Sequence, residues 1–439
     1  MRIWQRRQSR TRHPKTWLVA LCAAALSLSA CAGQGQQQDN SGDSGGKIQL
    51  SFWNGFTGPD RTAVEGLVKK YNDSQDKVEV SMTISPWDVF FQKLLPSIAS
   101  GDGPDLMAMD SAQLPSYASR GVLAPLDDWY DKNSDTAGNL VQPAVDATQW
   151  DGKSYGVPMN FTTLLLYWNK DMFKAAGLDP EQPPKDWAEF QADAKKLTKD
   201  DNGDGKPEQY GLSIADHETI AMWPILFWGN GGGVTSDDGT KSLLGDPKTI
   251  DAMDQWGSLV RDDHIAPVGL AGADADKLFQ SKKAAMEIVG PWMTTGFKDA
   301  GIDFGVAPPP AGPAGPVTLG TSVSFAVNAK ASPDHADAAR DFMSYWNSHD
   351  SQVYFSINSG FPPDRTDIKA DEIAKNPYGA AFAAPADTSK FYLAQVKNFS
   401  QVNDDIFTPV LQKVLNGDGT AADLFPKASE DIQAQLDDQ

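Results

Sequence analysis

One crossing constrains this chain more than any other stretch. Residues 155–171 read YGVPMNFTTLLLYWNKD, beginning as a turn after Trp150 and Asp151, passing Pro158, and continuing as an uninterrupted apolar run over 164–168. Such continuity does not suit a sheet wetted on one face. Pro158 has no N–H to give a ladder, so it belongs at the start of a strand or in the gap between two sheets. The stretch reads as a connector that leaves one domain and enters the centre of another, and ligand sites favour such gaps.

The first thirty residues read as a secretory signal. Six cations, Arg2, Arg6, Arg7, Arg10, Arg12 and Lys15, precede an apolar run over 17–30 that contains no acidic side chain. That run is short for a membrane-spanning helix. It ends in Leu28-Ser-Ala-Cys31, which resembles a lipobox, so Cys31 is expected to carry lipid and to become the first mature residue. An ordinary signal peptide with an incidental cysteine is the plainer alternative. Arg6-Arg7 raises twin-arginine export, but the flanking Gln5 and Gln8 fit general secretion better. Residues 32–46 are rich in Gly, Gln and Ser, as a flexible tether should be.

Cys22 and Cys31 are the only cysteines, so cleavage before Cys31 leaves no internal disulfide and stability must come from packing. The roughly 400 residues beyond the leader allow two domains with separate cores. Formal charge is −20, and subtracting the six leader cations from 38 leaves 32 against 58 acids, or −26. Nucleic acid and anionic lipid surfaces are therefore excluded as partners. A soluble body held beside a membrane by a lipid anchor fits.

Taken in order, residues 47–53 alternate as a strand, 54–60 form a Gly/Pro loop, 63–71 have helical spacing, and 78–84 alternate again. Residues 87–100 read as an amphipathic helix stopped by Gly101, and 105–109 as a short apolar strand. Strand and helix in alternation imply an α/β architecture with a mainly parallel sheet, whose ligands bind beyond the carboxyl ends of the strands. That rule points to 53–57, to Trp87 and Asp88, and to 109–113. Further on, 321–327 reads as a strand, 334–347 as a helix, and the chain from 394 as helical with breaks at Pro409 and at Gly417-Asp-Gly419. No internal repeat is present.

Several segments together resemble the extracellular sugar-binding proteins of ABC importers, the maltose-binding-protein type of solute-binding family 1. They are Pro158 with the run to Phe173, Gly101-Asp-Gly-Pro-Asp-Leu106 with residues 117–126, and Asp186-Trp-Ala-Glu-Phe190. Lys283-Ala-Ala-Met-Glu-Ile-Val-Gly-Pro-Trp292 and Asn358-Ser-Gly-Phe-Pro-Pro363 complete the set, in family order from about residue 48 to 430. The resemblance implies a two-lobed, periplasmic-binding-protein-like type II fold with a hinge. It implies an N-lobe of 47–158 plus 318–360 and a C-lobe of 159–317 plus 361–439, joined near 158–163, 311–321 and 360–364. It also implies a monomeric carrier that closes on a carbohydrate and is read in its closed form by an ABC permease on the outer face of the cell membrane. Relatives of this fold also take polyols and glycerophosphodiesters. The family's Asp-Arg pair falls here on Ala112 and Gln113 and its crossover glutamate on Thr162, so maltose specificity is not carried over.

Thirteen tryptophans suit such a ligand, because sugar rings present apolar C–H faces between hydroxyl edges. Trp292 in its Gly-Pro-Trp turn and Phe361 in a Gly/Pro turn are the expected stacking residues, joined by Phe56 and by Trp87 beside Asp88. Trp53, Trp223 and Trp228 read as packing residues. Asn54, Asp88, Asp110 and Asn160 are the expected hydroxyl partners, with helix capping the bland alternative for Asn54 and Asp110. Asp200, Asn202 and Asp204, with Glu208 in place of the missing acid at Gly211, form half of a calcium loop; a solvated hairpin is the alternative. The chain carries no other cofactor signal. Among enzymes, an exported glycoside hydrolase competes, since abundant acids supply carboxylate pairs. No H-E-x-x-H is present. A structural or adhesion lipoprotein predicts repeats, which are absent.

Overall fold

The computed structural model describes residues 46–219 and 222–438; the expected signal, Cys31 and the tether up to residue 45 lie outside them. Strands run β1 (Ile48–Asn54), β2 (Val78–Ile84), β3 (Leu106–Asp110), a small hairpin β4 (Gln149–Trp150) and β5 (Lys153–Ser154), β6 (Val157–Thr163) and β7 (Leu165–Asn169). They continue as β8 (Tyr210–Ser213), β9 (Ala284–Val289), β10 (Phe304–Ala307), β11 (Thr318–Val327) and β12 (Ser389–Lys390). One sheet has the order β12-β11-β3-β1-β2, with β6 also on β11; a second has the order β10-β7-β9-β8.

Local sequence accounts for the first sheet. In β1 the inward row is Leu50, Phe52 and Asn54, and period-2 alternation leaves the residues between them half-buried or exposed. The helix Trp87–Ser100 buries Phe90, Leu94 and Ile98 at fourfold spacing. It stops where Gly101 takes φ +90° and its N–H bonds the Ile98 carbonyl, a backbone turn that a side chain resists. β1 is parallel to β2 and β3, while β11 runs antiparallel to β3 and β6. The second sheet is mostly antiparallel, with only β8 and β9 parallel.

Each sheet has its own core. Around the first, Trp346 meets Phe325 at 5.3 Å and Phe355 at 5.2 Å. Around the second, Trp187 meets Trp256 edge-on at 5.4 Å, with Trp223 and Phe227 fully buried beside them.

The crossings differ from expectation in position. β6 stays on the first sheet through Thr163, so the chain changes sheets at Leu164 rather than after Pro158. Pro158 is accommodated because β6 pairs with β11 alone and the register shifts there, between Val323 and Ser324. The second crossing, 308–317, links β10 to β11. The third lies later than residue 360: Phe361 belongs to the N-lobe core, and Thr366 still donates to the Asn139 carbonyl at 2.8 Å. Phe382 is already in the C-lobe. Pro409 does not break the C-terminal helix; the π-helical turn Gln401–Phe407 runs into the α-helix Thr408–Asn416, where Pro409 sits in the first turn and no N–H is needed. Gly417 ends that helix at φ +80°.

Candidate functional site

On the N-lobe side the residues expected from strand ends are Asn54, Phe56, Trp87, Asp88, Asp110 and Asn160. Asn54 occupies the last inward position of β1 and is fully buried; its Oδ1 accepts from the Phe56 N–H at 3.3 Å, while Nδ2 has no partner. Asn160 is similar, with Oδ1 accepting from the Val323 N–H at 3.2 Å and a buried Nδ2 left open. Val323 pairs with Asp110 on one side and with Asn160 on the other, so the register sets these two candidates in one row across three strands. One Asp110 oxygen accepts from the Ala112 N–H at 2.9 Å; this closes a turn and does not cap the helix Leu114–Ala118, whose N-cap is Gln113. Burial pushes the Asp110 carboxyl up to about 6 against the opposing pull of that bond and of Thr321.

Phe56 is buried and meets the Trp87 ring edge-on at 5.7 Å. Trp87 lies over Gly55, where a Cβ would fall 2.0 Å from the indole, so only glycine admits it. Asp88 is half-buried in the first helical turn, beside this pair. Trp53 is half-buried rather than core; Trp223 and Trp228 pack as expected.

On the C-lobe side Trp292 sits in the turn Pro291–Met293 with its ring folded over Gly290, where a Cβ would fall 1.9 Å away. Half-buried, it packs against the cores of both lobes, and its ring centre lies 6.3 Å from that of Phe361. Asp276, half-buried on the helix Gly272–Gln280, is pushed up to about 6 by burial first, with Glu287 and Trp292 among its polar neighbours. Glu287 lies inside β9, 3% exposed, with Oε2 unpartnered. Burial, then the charge of Asp276, holds Glu287 well above the usual carboxyl range. From the N-lobe, Asp60 faces Asp276 and is pushed up to about 7 by burial first and by Asp276 last.

The lobes touch here. A Cβ on Gly296 would lie 2.6 Å from the Pro59 ring, and one on Gly360 would lie 3.0 Å from the Pro291 carbonyl oxygen. Sequence reasoning missed Asp60, Asp276 and Glu287. Glu287 was detectable as the one acid in an otherwise apolar strand; the other two carried no signal.

Between the lobes, beyond the carboxyl end of β3, lies a cavity of about 260 Å³ lined by Ser111, Ala112, Asp146, Phe391, Tyr392 and Gln395, among others. None of its lining side chains is basic. Phe391 meets Phe161 of β6 at 6.1 Å, and the Tyr392 hydroxyl donates to Asn403 Oδ1 at 2.8 Å.

Residues 66–381 match the family described as bacterial extracellular solute-binding protein. The chain belongs to that family. A binding protein of Brucella abortus (strain 2308) is 27% identical to this solute-binding protein over 425 residues, 95% of this chain and 97% of its own. An ABC-transporter solute-binding protein of Thermotoga lettingae, solved with alpha-D-tagatose, superposes with a TM-score of 0.80 at 23% identity, covering 89% of this chain and all, 100%, of that one. UgpB of Mycobacterium tuberculosis, solved with glycerophosphocholine, gives 0.79 at 22% identity, over 90% and 100%. The likeness in structure establishes the two-lobed fold.

The expected calcium loop of this solute-binding protein is a hairpin closed by its own bonds. Lys199 and Gln209 pair across its base, Asp200 accepts from the Gly203, Asp204 and Gly205 N–H groups, and Glu208 accepts from the Asn202 amide at 2.6 Å. Among the described residues no group of three His, Cys, Asp or Glu is disposed to hold a metal ion.

Proposed function

We propose that this solute-binding protein captures a neutral saccharide between its lobes and presents the closed form to the permease of an ABC importer. The observation that carries this reading is Trp292: an aromatic face from the C-lobe, packed against both cores, with its ring centre 6.3 Å from that of Phe361. An aromatic platform with acceptors at its edge suits a ring of C–H faces and hydroxyl donors. The open amide donors of Asn54 and Asn160 supply the complement. A ligand touching both lobes favours the closed population by its differential affinity for it.

The charge of the gap bears on ligand class. The Thermotoga protein was solved with a ketohexose and the Mycobacterium protein with a phosphodiester. The cavity beyond β3 is lined by Asp146 and by no Lys or Arg, so nothing there pairs with a phosphate. Attachment through lipid on Cys31, after signal cleavage, rests on the leader pattern. Among the described residues no helix is long and apolar enough to cross a membrane.

A thermal-shift screen of residues 46–439 against mono-, di- and oligosaccharides, polyols and glycerophosphodiesters tests the proposal, followed by calorimetry. Saccharide hits without turnover support it. Hits confined to phosphodiesters, or release of reducing sugar, would refute it. Incorporation of labelled palmitate into the full chain, lost in Cys31→Ser, tests the anchor.

A further inference from the structure

A second cavity, of about 350 Å³, opens where the second crossing passes β12. Its walls are 314–317 at the end of that crossing, 387–390, and Trp228 with Gly231 at the end of the helix Met222–Gly229. That size sits at the small end of ligand pockets, roughly 300–1,000 Å³. It shares no lining residue with the cavity beyond β3: 387–390 line this one, while 391, 392, 394 and 395 of the same segment line the other. Backbone contacts fix its shape. The Ala314 N–H donates to the Gly229 carbonyl at 2.8 Å, and 318–319 pair with 389–390. A Cβ on Gly312 would fall 2.3 Å from the Gly229 carbonyl oxygen, so only glycine lets the crossing lie this close to the helix end.

The side chains offer a ring and unspent polar atoms. Trp228 is 9% exposed, and its indole N–H has no acceptor among the described residues, although Nε1 still reaches solvent. Trp223, on the same helix, donates instead to the Ala215 carbonyl at 3.1 Å, as buried indoles ordinarily do. Asp387 is exposed and has no hydrogen-bond or ion-pair partner among the described residues. The Thr388 and Ser389 hydroxyls donate to the Pro385 and Ala386 carbonyls at 3.0 and 2.7 Å, which leaves their oxygens able to accept. Lys390 is spent, holding both Asp237 oxygens at 2.9 Å.

The unspent charge on the lining is thus a carboxylate, which turns away phosphate. A cation is opposed by Lys390 and by Lys248, whose Nζ would lie 3.1 Å from a Cβ on Gly231. An apolar ring, an open N–H and several acceptors remain, the complement of a neutral polyhydroxyl ring. We propose that this cavity is a second binding site, for a single saccharide or polyol unit, separate from the gap in which the carried ligand is held. The assignment stands whether or not that gap holds a saccharide.

Fluorine NMR of residues 46–439 labelled with 5-fluorotryptophan tests it, the Trp228 line being assigned by its loss in Trp228→Phe. The probes are glucose, galactose, mannose, sorbitol, choline and inorganic phosphate. The Trp228 line is expected to move saturably with at least one hexose, and amide exchange to slow at 314–317 and 387–390. Movement with sorbitol as well assigns the site to polyols and sugars together; movement with hexoses alone assigns it to the sugar ring. In Asp387→Ala the apparent Kd should rise about tenfold, the worth of one charge-assisted bond. In Trp292→Ala the Trp228 response should persist; circular dichroism melts establish that each variant is folded. A Trp228 line that ignores every hexose and sorbitol, that follows only choline or phosphate, or that falls silent in folded Trp292→Ala overturns the second site. A moving Trp228 line beside an empty thermal-shift screen in Trp228→Phe supports this site and counts against the carrier reading alone.

Discussion

Asn54 and Glu287 are both buried polar residues in the inward row of a strand, one in each lobe, and each leaves a side-chain atom unpartnered. Asn54 lies at the carboxyl end of β1, where the sheet opens toward the gap, and offers a donor. Glu287 lies mid-strand in β9, where burial first and the Asp276 charge next raise its carboxyl well above the usual range. Of this pair the N-lobe residue brings an amide at a strand end, and the C-lobe residue an acid inside a strand. The difference shows that the two halves of one groove obey different placement rules.

The comparison can be broken most forcefully through the cores. Trp346→Ala in the N-lobe and Trp223→Ala in the C-lobe should each cost about 3–5 kcal/mol, since both indoles are fully buried and hydrogen-bonded. Urea titration measures the loss, and hydrogen exchange should show it concentrated in the mutated lobe. Equal loss of protection in both lobes would show that the halves unfold as one. Next comes Trp292→Ala, expected to weaken saccharide binding ten- to a hundredfold, roughly 1.5–3 kcal/mol for a stacked aromatic. Calorimetry that finds unchanged affinity removes Trp292 from the site.

Asp364 sharpens the comparison from the N-lobe side. It is fully buried with both carboxyl oxygens unpartnered, and burial raises its pKa well above the usual range. The folded chain keeps this proton where the unfolded chain, titrating near 3.9, has lost it. Stability therefore falls as pH climbs from about 4 toward the folded value. Asp364→Asn should flatten that decline and be more stable than wild type at pH 8 by about 1–3 kcal/mol, with little gain at pH 4, as read by thermal melts. The smallest effect is Gly101→Ala, where nothing lies within 4 Å and only the positive φ resists, costing about 1 kcal/mol.

The sequence spoke most clearly where local rules decide. β2 and the helix Trp87–Ser100 begin and end where periodicity and Gly101 place them, and the strand-end rule is what made Asn54 and Asp110 candidates. It spoke less clearly where contacts come from far along the chain. Pro158 suggested the end of a domain, yet a single-partner edge and a register shift let β6 run on to Thr163. Asp60 and Asp276 lie 216 positions apart and become neighbours only through the meeting of the lobes. Half of a calcium motif was visible at 200–208, but the same Asp and Asn side chains close a hairpin by bonding their own backbone.

The bare Cα hydrogen of Gly296 against the Pro59 ring has a practical corollary. Any side chain there acts as a doorstop: valine at this position would prop the jaws ajar without touching the ligand's own contacts. Such a chain would serve as a standing open reference against which every later measure of shutting could be calibrated.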